Sequence, residues 1–173
     1  MGEIVKLLIN LNKTIAIMES CTGGGVANSI TNIEGASQVL KFSAVTYSNE
    51  YKIKMGVSSN IIDKYSVYSI ETARSMSLNI SAFANSSYGV GITGKLNRED
   101  KNNPYKDDNK VYVSIYDKEN DKYYDVITYA TENSREANKQ VIINQIIEKL
   151  KSVLFIWLSY KFKLVVVDKW YVL

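Results

Sequence analysis

The segment that most restricts the fold is an apolar run, Thr14-Ile15-Ala16-Ile17-Met18, that stops at a glycine-rich turn, Glu19-Ser20-Cys21-Thr22-Gly23-Gly24-Gly25. The run reads as a buried strand, and Val26 to Ile33 resumes as a helix. Glycines let the backbone reverse sharply where other residues would clash. A strand, a tight turn and a helix in that order open a βα unit, which commits the chain to an α/β architecture.

The remaining pattern extends this reading. Glu3 to Leu11 has the spacing of a short opening helix, and Val39 to Tyr47 reads as a second strand followed by a helical start at Ser48. Ser69, with Thr72 and Ala73 behind it, opens a helix through about Ala84, and Tyr88 to Thr93 is a third strand. Lys95 to Asn109 is polar, contains the single proline and is the one long loop. Val111–Tyr116 and Tyr123–Tyr129 flank a turn at Glu119-Asn120-Asp121, a hairpin pattern, and Ser134 caps a long helix that runs past Leu150. Units of βα type combined with one hairpin predict a three-layer α/β/α sandwich with a mixed sheet. The domain is expected over 1–155. The apolar tail, 156–173, is left with three alternatives: an added edge strand, a contact with a partner subunit, or packing on the core.

Composition excludes several kinds of chemistry. The chain has 173 residues and no histidine, which removes Ser-His-Asp and Cys-His catalysis and the commonest metal ligand. One cysteine, Cys21, leaves no internal disulfide and no CxxC metal knuckle. No metal and no cofactor are expected. The net charge of +3 is small and its basic residues are interleaved with acidic ones, so no nucleic-acid partner is expected. No basic segment is followed by a long apolar one, and Val153 to Leu158 is too short to span a bilayer. A cytoplasmic setting without membrane attachment is the expectation.

The glycine turn by itself fits two readings. One is a plain strand–helix connection capped by a serine or threonine. The other is a site in which backbone N–H groups near Thr22, Gly23 and Gly24 hold an anion beside Ser20. If Ser20 is a nucleophile, the missing histidine leaves lysine, a carboxylate or a tyrosinate as its base. Lysine serves only when neutral, and from a reference pKa of about 10.4 this requires roughly 4 to 5 kcal/mol at pH 7. Burial in an apolar cleft beside another cation supplies such a shift. Lys52 and Lys54 follow the second strand at a helix start; read alone, Lys52 is an ordinary surface lysine.

Three segments carry a resemblance: Glu19-Ser20-Cys21-Thr22-Gly23-Gly24, then Ile33-Glu34-Gly35-Ala36-Ser37, then Val45-Thr46-Tyr47-Ser48-Asn49-Glu50-Tyr51-Lys52. Their order and spacing are similar to the CinA C-terminal domain family, as are Gly56-Val57-Ser58 and Val90-Gly91-Ile92-Thr93-Gly94. The resemblance implies an amidohydrolase that converts the carboxamide of nicotinamide mononucleotide to the nicotinate nucleotide and ammonia, with Ser20 as nucleophile and Lys52 as base. It implies a catalytic-site place for Tyr47, which either orients Lys52, walls the pocket or is a core tyrosine. Thr22 is a second hydroxyl of the relay or a helix cap. Thr93 and Arg135 are implied in substrate binding, Arg135 on the phosphate or else as a surface arginine. Cys21 ranks below Ser20, since no histidine activates it. The implied assembly is a homodimer, and the chain reads as lacking the extra N-terminal domain of many relatives.

The sequence departs from the family after Gly94. A glycine-rich stretch is replaced by Lys95-Leu96-Asn97-Arg98-Glu99-Asp100, and Lys139 stands where a second arginine is usual. Two further readings therefore stand beside the amidase: a catalytically degenerate nucleotide-binding or interaction module, and a Ser-Lys amidase for a different amide.

Overall fold

The computed structural model describes residues 1–96 and 109–168, the last ten as backbone. Its elements are α1 (Gly2–Asn10), β1 (Ile15–Glu19), α2 (Gly25–Thr31), α3 (Ala36–Val39), β2 (Leu40–Val45), α4 (Asn49–Lys54), α5 (Ser59–Tyr65), α6 (Ile70–Ala84), β3 (Tyr88–Gly94), β4 (Lys110–Asp117), β5 (Lys122–Tyr129) and α7 (Arg135–Asp168). The sheet order is β2-β1-β3-β4-β5. β1 pairs in parallel with both β2 and β3, whereas β4 and β5 are antiparallel additions. The mixed sheet and the three layers predicted from the sequence are both present.

The alternation of β1 side chains divides the core. Ile15 and Ile17 face a large cluster with Ile4, Val5 and Leu8 of α1, Val26 and Ile30 of α2, and Ile142, Ile146 and Leu150 of α7. Ala16 and Met18 face the opposite side, against Val57 and against Met76 and Ile80 of α6. All five residues of β1 are buried, which is why the strand reads as a continuous apolar run.

α6 lies close to the sheet because neither surface carries bulk at the contact. A β-carbon on Gly91 would strike the Ala73 carbonyl oxygen, and one on Gly89 the Ser77 carbonyl oxygen. Ser77 and Ser81, four residues apart on the same helix face, hydrogen-bond the Arg74 and Ser86 carbonyls at 2.9 Å each, so the buried hydroxyls are satisfied. The caps foreseen at Ser69 and Ser134 are formed: their hydroxyls accept from the amides of Thr72 and Ala137 at 3.1 and 3.0 Å.

The chain leaves β1 toward β2 on one side and later returns to β3 on the other. The carboxyl end of β1 therefore lies at the point where connections diverge, the usual crevice of open α/β sheets. Ser20 is the first residue past that end.

The structure differs from the sequence pattern in three places. α3 and α5 are short helices that their weak periodicity did not reveal. Residues 164–167, for which an edge strand was one alternative, continue α7 as helix; an apolar run of this length does not distinguish strand from helix by its pattern. Of the long loop, 97–108 lies outside the described residues, as does 169–173 of the tail.

The close approach of α6 predicts that Gly91→Ala lowers stability by about 1–3 kcal/mol, measured by urea unfolding. Gly2→Ala, whose added carbon would meet its nearest neighbour at 3.9 Å, should shift the midpoint far less.

Candidate active site

The turn after β1 is organised by the carboxylate of Glu19, which is fully buried. Its Oε2 accepts from the amides of Gly24 at 3.0 Å and Val26 at 3.2 Å, and its Oε1 from Ala27 at 2.9 Å. A negative charge at the start of α2 is favoured by the unpaired N–H groups and the helix dipole. Gly23 and Gly24 take φ values of 63° and 91°, the left-handed region that glycine tolerates. The Gly23 amide donates to the Ser20 carbonyl at 3.1 Å and that of Gly25 to the Thr22 carbonyl at 3.2 Å.

This changes the expected oxyanion site. The amides of Gly23 and Gly24 are already engaged, because the glutamate of the motif folds back onto the helix start and takes the anion position. Thr22 is different. Its amide has no hydrogen-bond partner among the described residues, and its buried hydroxyl has none either. The helix-cap reading of Thr22 does not hold, since α2 has no side-chain cap from it and Glu19 serves instead.

Lys52 reaches Ser20 through a short chain of local preferences. The Thr46 amide donates to the Glu19 carbonyl at 2.8 Å, so the pairing of β2 with β1 continues one residue past the strand. Ser48 then caps α4, its hydroxyl accepting from the Tyr51 amide at 3.3 Å. One turn later Lys52 points back under the cap. Its Nζ donates to Ser20 Oγ at 3.1 Å and to the Thr46 carbonyl at 2.8 Å. Lys52 is 1% exposed and Ser20 7%. Burial and direct contact place the amine within reach of the hydroxyl proton, the geometry a general base requires.

The register of β1 against β3 pairs Met18 with Gly91, which brings Thr93 level with Ser20 on the adjacent strand. Its hydroxyl is committed to the Val67 carbonyl at 2.9 Å and holds the segment before α6 in place. Tyr47 is 63% exposed, so it is not a core residue. Its hydroxyl accepts from Arg135 Nη2 at 2.8 Å, while Arg135 Nη1 donates to the Leu96 carbonyl at 2.8 Å. Tyr47 and Arg135 therefore form a bridge from the end of β2 to the start of α7. Sequence reasoning paired neither of them with the other.

Cys21 is 3% exposed. Burial pushes its thiol up to about 12, outweighing the opposing effect of the Arg135 and Lys52 charges. At pH 8 a thiol titrating there has a thiolate fraction of about one in 10⁴. Cys21 should resist iodoacetamide at pH 8 in the folded chain and react once the chain is unfolded in urea, read by intact mass. Rapid alkylation of the native protein would contradict the burial described.

The family model for the CinA C-terminal domain matches residues 1–154. A "Putative competence-damage inducible protein" of Thermoanaerobacter sp. is 43% identical over 96 residues, covering 54% of this chain and 23% of its own length. A protein of the same name from Clostridium kluyveri is 38% identical over 120 residues, covering 68% and 29%. The chain thus spans about a quarter of the length of these curated relatives. Among solved structures, a CinA superfamily protein of Escherichia coli superposes with a TM-score of 0.79 at 21% identity, over 88% of this chain and 87% of that one. One of Klebsiella pneumoniae gives 0.81 at 19% identity, over 90% and 96%. The structural likeness concerns the fold; the sequence match, lying across the turn at Ser20 and the segment at Lys52, shows that the chain belongs to the CinA C-terminal domain family.

Proposed function

We propose that the chain is an amidohydrolase that hydrolyses the carboxamide of nicotinamide mononucleotide, releasing ammonia, by a Ser-Lys mechanism. The observation that carries this reading is the 3.1 Å contact between Lys52 Nζ and Ser20 Oγ, both buried, in a chain without histidine.

In the proposed reaction the neutral Lys52 amine takes the hydroxyl proton as Ser20 Oγ attacks the amide carbon. The amide carbonyl becomes an oxyanion, for which the unpartnered N–H and hydroxyl of Thr22 are the available donors. Lys52 then gives its proton to the leaving nitrogen and ammonia departs. The amine, neutral again, activates a water that cleaves the acyl-enzyme and frees Ser20. The Thr46 carbonyl accepts from Nζ throughout and fixes the amine's direction. Arg135, held by Tyr47 and Leu96, supplies a guanidinium suited to an anionic substrate.

Ammonia release from nicotinamide mononucleotide is the test. Ser20→Ala and Lys52→Met should each reduce kcat by at least about 10³-fold while leaving the thermal midpoint near that of the wild type. Activity that survives Ser20→Ala would overturn the mechanism. A folded wild type without turnover would favour the nucleotide-binding module instead.

A further inference from the structure

The segment that carries Lys52 is thinly anchored. Between Thr46 and Ser66, through α4 and α5, only Lys52 and Val57 are buried. α5 has no buried residue. Val57 joins Met76 and Ile80 of α6, and Met55 and Ile62 add partial cover. Short helices with so few core residues draw little stability from packing.

Its two ends are tied by hydrogen bonds instead. The near end is held by the Thr46 amide on the Glu19 carbonyl. The far end is Ser66, whose φ of 76° and ψ of 154° lie in a region that glycine alone adopts freely. The other non-glycine residues at positive φ among the described residues are Asn12, Asn85, Asn109 and Asp121, types that tolerate the left-handed region. Ser66 is buried, and its polar groups are all engaged. Its amide donates to the Ile62 carbonyl at 2.9 Å, and its Oγ accepts from the Tyr68 amide at 3.2 Å. Its carbonyl accepts the hydroxyls of Ser69 at 2.8 Å and Thr72 at 2.9 Å. The next carbonyl, that of Val67, accepts the Thr93 hydroxyl at 2.9 Å. The end of α5, the start of α6 and the strand beside the nucleophile therefore meet at Ser66.

Resting on the Ser-Lys reading proposed above, we infer that Ser66 is a positioning residue of the reaction: its glycine-like backbone and the two hydroxyls on its carbonyl clamp the far end of the α4–α5 segment, and so hold Lys52 Nζ on Ser20 Oγ. The hydrogen bonds around Ser66 offset a conformation that a serine adopts only under constraint. The clamp acts on the chemical step, through the place of the base.

Three substitutions separate the backbone from the side chain. Ser66→Val sets a β-branched residue where φ is positive, which its backbone resists. Ser66→Gly keeps that conformation without strain. Both lack the Oγ that accepts from Tyr68, so the difference between them reads the backbone. Thr72→Val removes one tie to the Ser66 carbonyl. Two readouts follow the base directly: hydrogen exchange at the amides of Lys52 and Met55, and acetylation of Lys52 by acetic anhydride against the exposed Lys54. Both should rise at least about tenfold in Ser66→Val, stay near wild type in Ser66→Gly and rise less in Thr72→Val, with exchange in β1 and β3 unchanged. The kcat for ammonia release should fall in the same order, at least about tenfold in Ser66→Val, with KM within about twofold. Wild-type exchange and Lys52 reactivity in both Ser66→Val and Thr72→Val would overturn the inference. So would a loosened α4 with full kcat, or a loss in Ser66→Gly as large as in Ser66→Val. If Ser66→Val does not fold, Thr72→Val decides alone. A wild type that releases no ammonia, but whose Lys52 is freed by these substitutions, would uphold the clamp and remove the amidase reading.

Discussion

The buried carboxylate of Glu19 is the constraint on which the candidate site depends. It satisfies three amides at the start of α2, which would otherwise be orphaned away from water. In doing so it holds the turn in the conformation that leaves Ser20 at the strand end and sets Gly23 and Gly24 at positive φ. It also decides where an oxyanion cannot go. A helix start that already holds a carboxylate has little attraction for a second anion, and beside Ser20 the N–H and hydroxyl of Thr22 have no partner among the described residues.

Glu19 and Lys52 lie on opposite sides of the same strand end. Successive side chains of a strand alternate between faces, so Glu19 turns toward α2 while Ser20 turns toward the layer of α4 and α6. The two buried groups thereby serve different ends. The carboxylate is saturated by backbone donors and is structural. The amine donates to a backbone carbonyl and to the Ser20 hydroxyl, the pair on which the proposed reaction rests. The close seating of α6 on Gly89 and Gly91 keeps that layer tight, and Thr93 fixes the segment before α6 through Val67.

Much of this was legible in the sequence. The order of strands and helices followed from apolar periodicity, and the caps at Ser69 and Ser134 from residue type. The site was only partly legible. Ser20 stood out because a glycine turn followed a buried strand, but nothing in the composition distinguished Lys52 from a surface lysine; its place came from resemblance, and the geometry accounts for it through the Ser48 cap. Glu19 was read as a member of a motif and not as the cap of α2, although an acid at a strand end, five to eight residues before the helix residues it caps, is a usable signal. The bridge of Tyr47 to Arg135 joins residues 88 apart, and the seat of Lys139 over Gly23 depends on how α7 packs. Contacts of that kind are set by tertiary packing and leave no local trace.

Activation of Ser20 by Lys52 is read out by covalent labelling of Ser20 with an alkyl fluorophosphonate, followed by peptide mass mapping across pH. Labelling is expected at Ser20, with a rate that rises through a single ionisation in the wild type and loses that rise in Lys52→Met. Labelling at another residue, or a Ser20 rate that is the same in Lys52→Met at every pH, would contradict it.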